Sequence, residues 1–205
     1  MSPTADTLFG GTSVMAILRN LSIEESVRLA NTAWDLGIEL VEVPIQTPDA
    51  VRVLEAVLAE GRARGKPVGA GTVVTAEQLE VSHERGVAFT VAPGLDADLV
   101  RRSESIGLPH LPGVATATEI QSAVACGCRW LKAFPADVLG ARWFRRMSQG
   151  PFPDVSFVAT GGMDASNGAE YLRAGASMIA VGSALEDPHQ LDQLTALSDA
   201  SRPSP

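Results

Sequence analysis

Lysine is nearly missing from this chain of 205 residues: of 16 basic residues all but Lys66 and Lys132 are arginine. Other scarcities exclude whole classes of function. Acidic residues outnumber basic ones, 24 to 16, and the net charge is −8. No surplus of positive charge is left for a phosphate backbone, so no nucleic-acid partner is expected. No apolar run approaches the roughly 20 residues that a membrane span requires. Met1–Thr7 also lack the basic and apolar regions of a secretory signal, and no membrane partner is expected. The two cysteines, Cys126 and Cys128, stand too close together for an unstrained disulfide, and no His or Cys cluster beside them completes a metal site. No metal is therefore expected, and two unpaired thiols fit a reducing cytoplasm.

What is present is one theme repeated. Eight β-rich runs, Val14–Leu18, Ile38–Val43, Pro67–Ala70, Ala88–Val91, Pro109–Leu111, Arg129–Leu131, Val155–Ala159 and Ser177–Val181, each lead into an amphipathic stretch. Helix starts are marked by Ser22 with Glu25 three residues on, Thr47 before Pro48, Thr75, Asp96, Thr116 with Glu119, and Ser166. Strands alternating with helices imply parallel βα units, either a closed barrel or an open doubly wound sheet. An open sheet usually carries a glycine fingerprint after its first strand, but Leu18-Arg19-Asn20 has none. Polar and glycine residues recur instead after almost every strand, which favours a (β/α)8 TIM barrel with a short segment before strand one. The length suits one domain over residues 1–205, with 1–7 and 200–205 as loose ends.

The unusual residues then fall at the strand ends, where barrels of this kind keep their chemistry. Lys132 sits in the apolar run Trp130-Leu131-Lys132-Ala133-Phe134-Pro135 at the end of strand six. Burial disfavours an ammonium ion, and a neutral amine attacks a ketone to form a Schiff base; the alternative is a lysine that snorkels to water. Glu42 lies between Val41 and Val43, so strand alternation turns it to the opposite face. There it is either a partly buried carboxylate suited to proton transfer or a structural partner of Arg19 or Lys132. Gly161-Gly162 and Gly182-Ser183 follow strands seven and eight, the two loops that commonly bind phosphate in barrels; as an alternative they are tight βα turns. Arg19 either clamps a substrate anion or is an exposed strand-end charge, and Thr72 either binds a carboxylate or caps a turn. His110 is expected to pack, and His83 and His189 to lie at the surface.

Taken together these segments resemble the class I 2-keto-3-deoxy-6-phosphogluconate aldolase family, which includes the 2-dehydro-3-deoxy-6-phosphogalactonate and 4-hydroxy-2-oxoglutarate aldolases. The likeness runs from about Ala16 to Leu185. It is carried by Gly127–Ala136 around Lys132 with Gly140 beyond, by Gly37-Ile38-Glu39-Leu40-Val41-Glu42, by Gly69-Ala70-Gly71-Thr72-Val73 and by Leu111-Pro112-Gly113. The resemblance implies Lys132 as the Schiff-base lysine, which stands in place of any cofactor, and Glu42 as the general acid/base. It implies Arg19, Thr72, Gln46, Pro93 and Phe134 against the substrate, and Gly161, Gly162, Gly182 and Ser183 around its phosphate. The partners implied are a phosphorylated 2-keto sugar acid, pyruvate and further copies of the chain in a homotrimer. Two positions depart from the family pattern. The gluconate-type run Val-Thr-Leu-Arg is here Val43-Pro44-Ile45-Gln46, so a neutral amide replaces a carboxylate-binding arginine. Ala133 replaces a larger apolar residue, a gap for which Trp130 is the nearby filler. The Ala16-Ile17-Leu18-Arg19 start resembles the phosphogalactonate branch, in which an arginine on strand one takes part in binding.

Overall fold

The computed structural model describes residues 4–199; residues 1–3 and 200–205, most of the two segments expected to be loose, lie outside it. Nine parallel strand segments are β1 (Val14–Ile17), β2 (Leu40–Pro44), β3 (Val68–Gly71), β4 (Phe89–Val91), β5 (His110–Leu111), β6 (Gly113–Val114), β7 (Trp130–Ala133), β8 (Ser156–Thr160) and β9 (Met178–Val181). Their order is β5-β4-β3-β2-β1-β9-β8-β7-β6. β5 and β6 are the two halves of one stave, interrupted at Pro112. Leu111 pairs with Val91 on one side and Gly113 with Lys132 on the other, which closes the ring. Proline has no N–H to give a ladder, but its carbonyl still accepts: Lys132 N–H donates to Pro112 O at 2.9 Å. The eight expected strands are thus eight barrel staves, with ends shifted by one or two residues and the fifth extended through Pro112.

Alternation along the strands sorts the core into two shells. Val41, Val43, Val68, Ala70, Leu131, Ala133, Phe157, Ala159, Ile179 and Val181 face outward into the helix layer. That layer consists of α2 (Ile23–Asp35), α3 (Pro48–Arg64), α4 (Ala76–Glu84), α5 (Ala97–Ser105), α6 (Ala117–Ala125), α7 (Ala136–Leu139), α8 (Ala141–Ser148), α9 (Gly168–Arg173) and α10 (Pro188–Asp199), after the N-terminal α1 (Ala5–Phe9). Met15, Leu40, Phe89, Val91, Leu111, Trp130, Val158 and Met178 fill the barrel's interior. Trp130 and Ala133 lie on opposite faces of β7, so the indole does not fill the space left by Ala133, contrary to the sequence-based expectation.

Local chemistry explains most helix starts. Thr75 with Gln78, and Thr116 with Glu119, form reciprocal capping boxes. Thr47 and Asp96 cap α3 and α5. Ser22 accepts from Glu25 N–H at 3.1 Å, but the Glu25 carboxylate turns to Arg28 instead of closing the box. Ser166 does not cap α9. Its N–H is held by the Asp164 carboxylate at 2.8 Å, and the helix begins after Asn167.

α1 closes the N-terminal end of the barrel, although residues 5–7 belong to a stretch expected to be loose. Phe9 is fully buried, edge-on to Phe89 at 5.3 Å between ring centroids and 5.5 Å from Trp130. The Trp130 Nε1–H donates to the Asp6 carboxylate at 2.7 Å. Truncating the plug leaves a cavity beneath the interior shell. Phe9→Ala is therefore expected to cost about 3–5 kcal/mol in urea unfolding, the range for a fully buried phenylalanine; a loss below about 1 kcal/mol would show that α1 does not seal the barrel.

Candidate active site

At the C-terminal ends of the strands the barrel opens into a cavity of about 530 Å³. Every site residue expected from the sequence lines it: Arg19, Glu42, Gln46, Thr72, Pro93, Lys132, Phe134, Gly161, Gly162, Gly182 and Ser183. A cavity of similar size, about 540 Å³, lies near the opposite end, between α1, the end of α5 and the turn before β7. It reaches His110, whose Nδ1 lies 2.8 Å from Thr90 Oγ1 and whose burial pushes it down to about 4, so the imidazole is a packed neutral group as expected. His83 and His189 are exposed.

Lys132 is the third of the four residues of β7, in register with Gly113 and Val158. It is 6% exposed, and its Nζ lies 5.1 Å from the centroid of the Phe134 ring. Glu42 is 2% exposed and in register with Ile17 and Gly69. Neither group enters a salt bridge within 4.0 Å among the described residues. Burial raises the Glu42 carboxyl above the usual glutamate range, and the positive charges of Lys132 and Arg19 oppose that rise. A carboxyl group of this kind can stay protonated closer to neutrality, and it shares a cavity with a buried primary amine. Arg19 and Gln46 reach the same cavity from the exposed rim.

The glycine loops serve the fold as well as the cavity. Gly161 and Gly162 have φ of +97° and +67°, conformations that side chains resist. A Cβ on Gly161 would come within 3.3 Å of the Phe134 ring, and one on Gly162 within 2.6 Å of the Asp137 side chain. Gly182 differs: its φ is −109°, and a Cβ there would make an ordinary 3.7 Å contact with Ile17 O. The fold leaves room for a methyl group at Gly182, so its bareness affects chiefly what enters the cavity.

Several lining residues escaped sequence reasoning. Asn20 is one of them; among the described residues it and the expected Thr72 are the non-glycine residues at positive φ, +60° and +58°. Asparagine at a strand end is a recognisable candidate for that conformation, and Asn20 could have been singled out on that ground. For β-branched Thr72 the conformation is a true outlier. Its position is fixed on both sides by ladder bonds, Ile45 N–H to Gly71 O at 2.9 Å and Val73 N–H to Val91 O at 3.0 Å. Thr160 also lines the cavity and shares the inward phase of Val158 on β8, which alternation could have shown. Asp164 reaches the rim from the loop before α9 and Glu186 from the end of the short 3-10 turn Ser183–Glu186, whose placement no local signal gives. Among the described residues no cluster of His, Cys, Asp and Glu could hold a metal ion, and no helix is long and apolar enough to cross a membrane.

A closed parallel barrel with a buried lysine and a buried carboxyl group in one cavity at its C-terminal mouth defines a class of barrel aldolase. Residues 6–197 match the family described as KDPG and KHG aldolase, and the chain belongs to that family. It is 33% identical to a probable 2-dehydro-3-deoxy-6-phosphogalactonate aldolase of Rhizobium meliloti (strain 1021), over 85% of this chain and 82% of the relative. It is 35% identical to a 2-dehydro-3-deoxy-phosphogluconate aldolase of Treponema pallidum (strain Nichols), over 86% and 85% of the two chains. Its fold superposes with a TM-score of 0.80 on the KDPG aldolase of Legionella pneumophila crystallised with pyruvate as a covalent carbinolamine, at 28% identity over 96% and 97% of the chains.

The buried carboxyl group has a consequence for stability. Its value in the fold is raised above the unfolded value of about 4.3, so the folded state favours the neutral acid. That contribution is fully present below the unfolded value and is lost as pH rises through the folded value. Glu42→Gln stays uncharged throughout. Urea unfolding is therefore expected to show the variant gaining stability over the parent as pH rises from about 4 to 8, with little difference near pH 3; a gap that does not widen with pH would contradict a desolvated Glu42.

Proposed function

We propose that the chain is a class I aldolase that reversibly cleaves a 2-keto-3-deoxy-6-phospho sugar acid to pyruvate and glyceraldehyde 3-phosphate. The observation that carries this reading is the buried amine of Lys132 sharing one cavity with the buried carboxyl group of Glu42. Lys132 Nζ adds to the C2 ketone, and loss of water from the carbinolamine gives an iminium, the electron sink for the bond to be broken. Glu42, acting directly or through one water, takes the proton of the C4 hydroxyl. The C3–C4 electron pair flows into the iminium, releasing the aldehyde and leaving an enamine. Protonation of the enamine carbon from Glu42 and hydrolysis of the iminium then free pyruvate and restore both groups. The carbinolamine held by the Legionella pneumophila relative is an intermediate of that same type.

Within that class we place the substrate with the phosphogalactonate type. Gln46 is a neutral amide, so the substrate carboxylate takes its countercharge from Arg19 on the neighbouring stave, with the Thr72 hydroxyl as a further donor. Pro93 and Phe134 provide apolar walls, and the amides about Gly161-Gly162 and Gly182-Ser183 hold the phosphate. A homotrimer as the active form follows from the family likeness alone and is open to sedimentation analysis.

Borohydride with pyruvate present is expected to trap an adduct on Lys132 in the parent and none in Lys132→Ala, and Glu42→Gln is expected to lower kcat by about 10²–10⁴. An unmodified lysine, or full activity in Lys132→Ala, would sink the mechanism. Gly182→Ala is expected to raise KM for the phosphorylated substrate without loss of thermal stability. Comparing cleavage of the gluconate- and galactonate-type substrates with that of 4-hydroxy-2-oxoglutarate tests the substrate assignment: the galactonate compound is expected to have the highest kcat/KM. A higher value for 4-hydroxy-2-oxoglutarate would favour the other activity of the family, and absence of pyruvate release from all three would favour a sugar-phosphate-binding barrel without catalysis.

A further inference from the structure

On β3, glycines alternate with an outward alanine: Gly69 and Gly71 face the barrel's interior, and Ala70 belongs to the outer shell. Neither inward glycine is at positive φ, so backbone conformation does not require them. What each makes room for is different. A Cβ on Gly69 would fall 2.3–2.5 Å from three atoms of the buried Phe89 ring. A Cβ on Gly71 would fall 1.9 Å from Glu42 Oε1, 2.7 Å from Cδ and 2.9 Å from Cγ. β2 and β3 pair Glu42 with Gly69 and Pro44 with Gly71, so the Glu42 side chain leans two residues along the neighbouring strand. Its carboxyl group lies in the volume that any side chain at 71 would occupy.

We infer that Gly71 is a positioning residue for proton transfer, one whose missing side chain forms the slot that seats the Glu42 carboxyl group. This rests on the acid/base role proposed for Glu42 and adds what sets that group's place. The slot has two effects. It limits the rotamers of a side chain that would otherwise reach several points of the cavity, and a shift of about 1 Å in a catalytic group can cost of the order of 10² in rate. It also holds the carboxyl group against the β3 backbone, where the side chain stays all but excluded from solvent. The charged groups facing it across the cavity are Lys132 on β7 and Arg19 beyond β1, with Asp164 and Glu186 at the rim. The obstacle to a methyl group at 71 is the far end of a side chain, which can swing aside, so Gly71→Ala is expected to fold. At Gly69 the obstacle is a buried ring packed under α1, so Gly69→Ala is expected to act on stability instead.

The test compares Gly71→Ala, Glu42→Ala and the double variant, with thermal unfolding of each. Gly71→Ala is expected to lower kcat for cleavage by roughly 100-fold, to leave KM within about threefold, and still to trap pyruvate on Lys132 with borohydride. The acid limb of its kcat–pH profile should move to lower pH, because the displaced carboxyl group meets water and Lys132. In the Glu42→Ala background the slot is empty, and adding Gly71→Ala should cost nothing further in kcat or in melting temperature. An unimpaired Gly71→Ala beside an inactive Glu42→Ala would overturn this inference alone, as would losses that add in the double variant. Full activity in Glu42→Ala would overturn the proton-transfer role and this inference with it.

Discussion

The volume enclosed by eight staves is the constraint on which the remaining structure depends. In a closed barrel every inward side chain competes with those of the facing staves, and alternation permits no retreat to the other face. Large residues on some strands must therefore be matched by small ones elsewhere. Phe89 and Glu42 are accommodated because β3 offers Gly69 and Gly71 to the interior, and Gly113 is bare where a Cβ would strike the backbone of Pro93 and Gly94 at 2.1–2.6 Å. The lower interior is filled by the apolar side chains of Phe9, Phe89, Trp130, Met15 and Met178. Above that layer the barrel opens into the cavity at its mouth, and Lys132 and Glu42 stand there.

That division explains how two ionisable side chains can be buried without a direct salt bridge. Removing charge from water is costly, and a carboxyl group so placed responds by favouring its neutral form. The unfavourable desolvation is offset by the apolar shells below and outside. The strained αL conformation of Thr72 belongs to the same upper layer, held by ladder bonds on either side. Strain and desolvation are confined to the mouth while the base and the helix layer supply stability, the distribution expected when a site is selected for chemistry rather than for stability.

Most of this was legible in the chain, for identifiable reasons. Parallel strands buried on both faces read as short apolar runs, so all eight staves were found; Pro112 truncated the fifth because the sequence shows the lost N–H and not the retained carbonyl. Alternation was enough to turn Glu42 inward. It could equally have brought in Thr160 and separated Trp130 from Ala133, had its phase been followed. α1 was missed because five residues carry no helical periodicity, and its anchor, the Asp6–Trp130 bond, joins positions 124 residues apart. Ser166 was misassigned because the Asp164 carboxylate two residues earlier takes both its N–H and its hydroxyl, and the helix starts one residue later. Asp164 and Glu186 were out of reach, since the course of the chain between strand and helix is set by tertiary contacts.

The glycines show most sharply what a motif can and cannot say. Gly161 and Gly162 look like a phosphate loop, yet positive φ and the nearness of Phe134 and Asp137 require them whatever enters the cavity. Gly71 is required by a side chain of the site itself. Gly182 alone among these is spared both demands, so it carries the most specific case for a ligand that approaches the backbone. The charges point the same way. Arg19 and Lys132 share the lining with Glu42, Asp164 and Glu186, so formal charge there gives no net attraction for an anion. On the proposed function Lys132 is consumed in the Schiff base and Arg19 is engaged by the carboxylate. The phosphate must then be held chiefly by uncharged donors, the backbone amides and the Ser183 hydroxyl. Donors of that kind demand close approach, and close approach is what a bare α-carbon at position 182 allows.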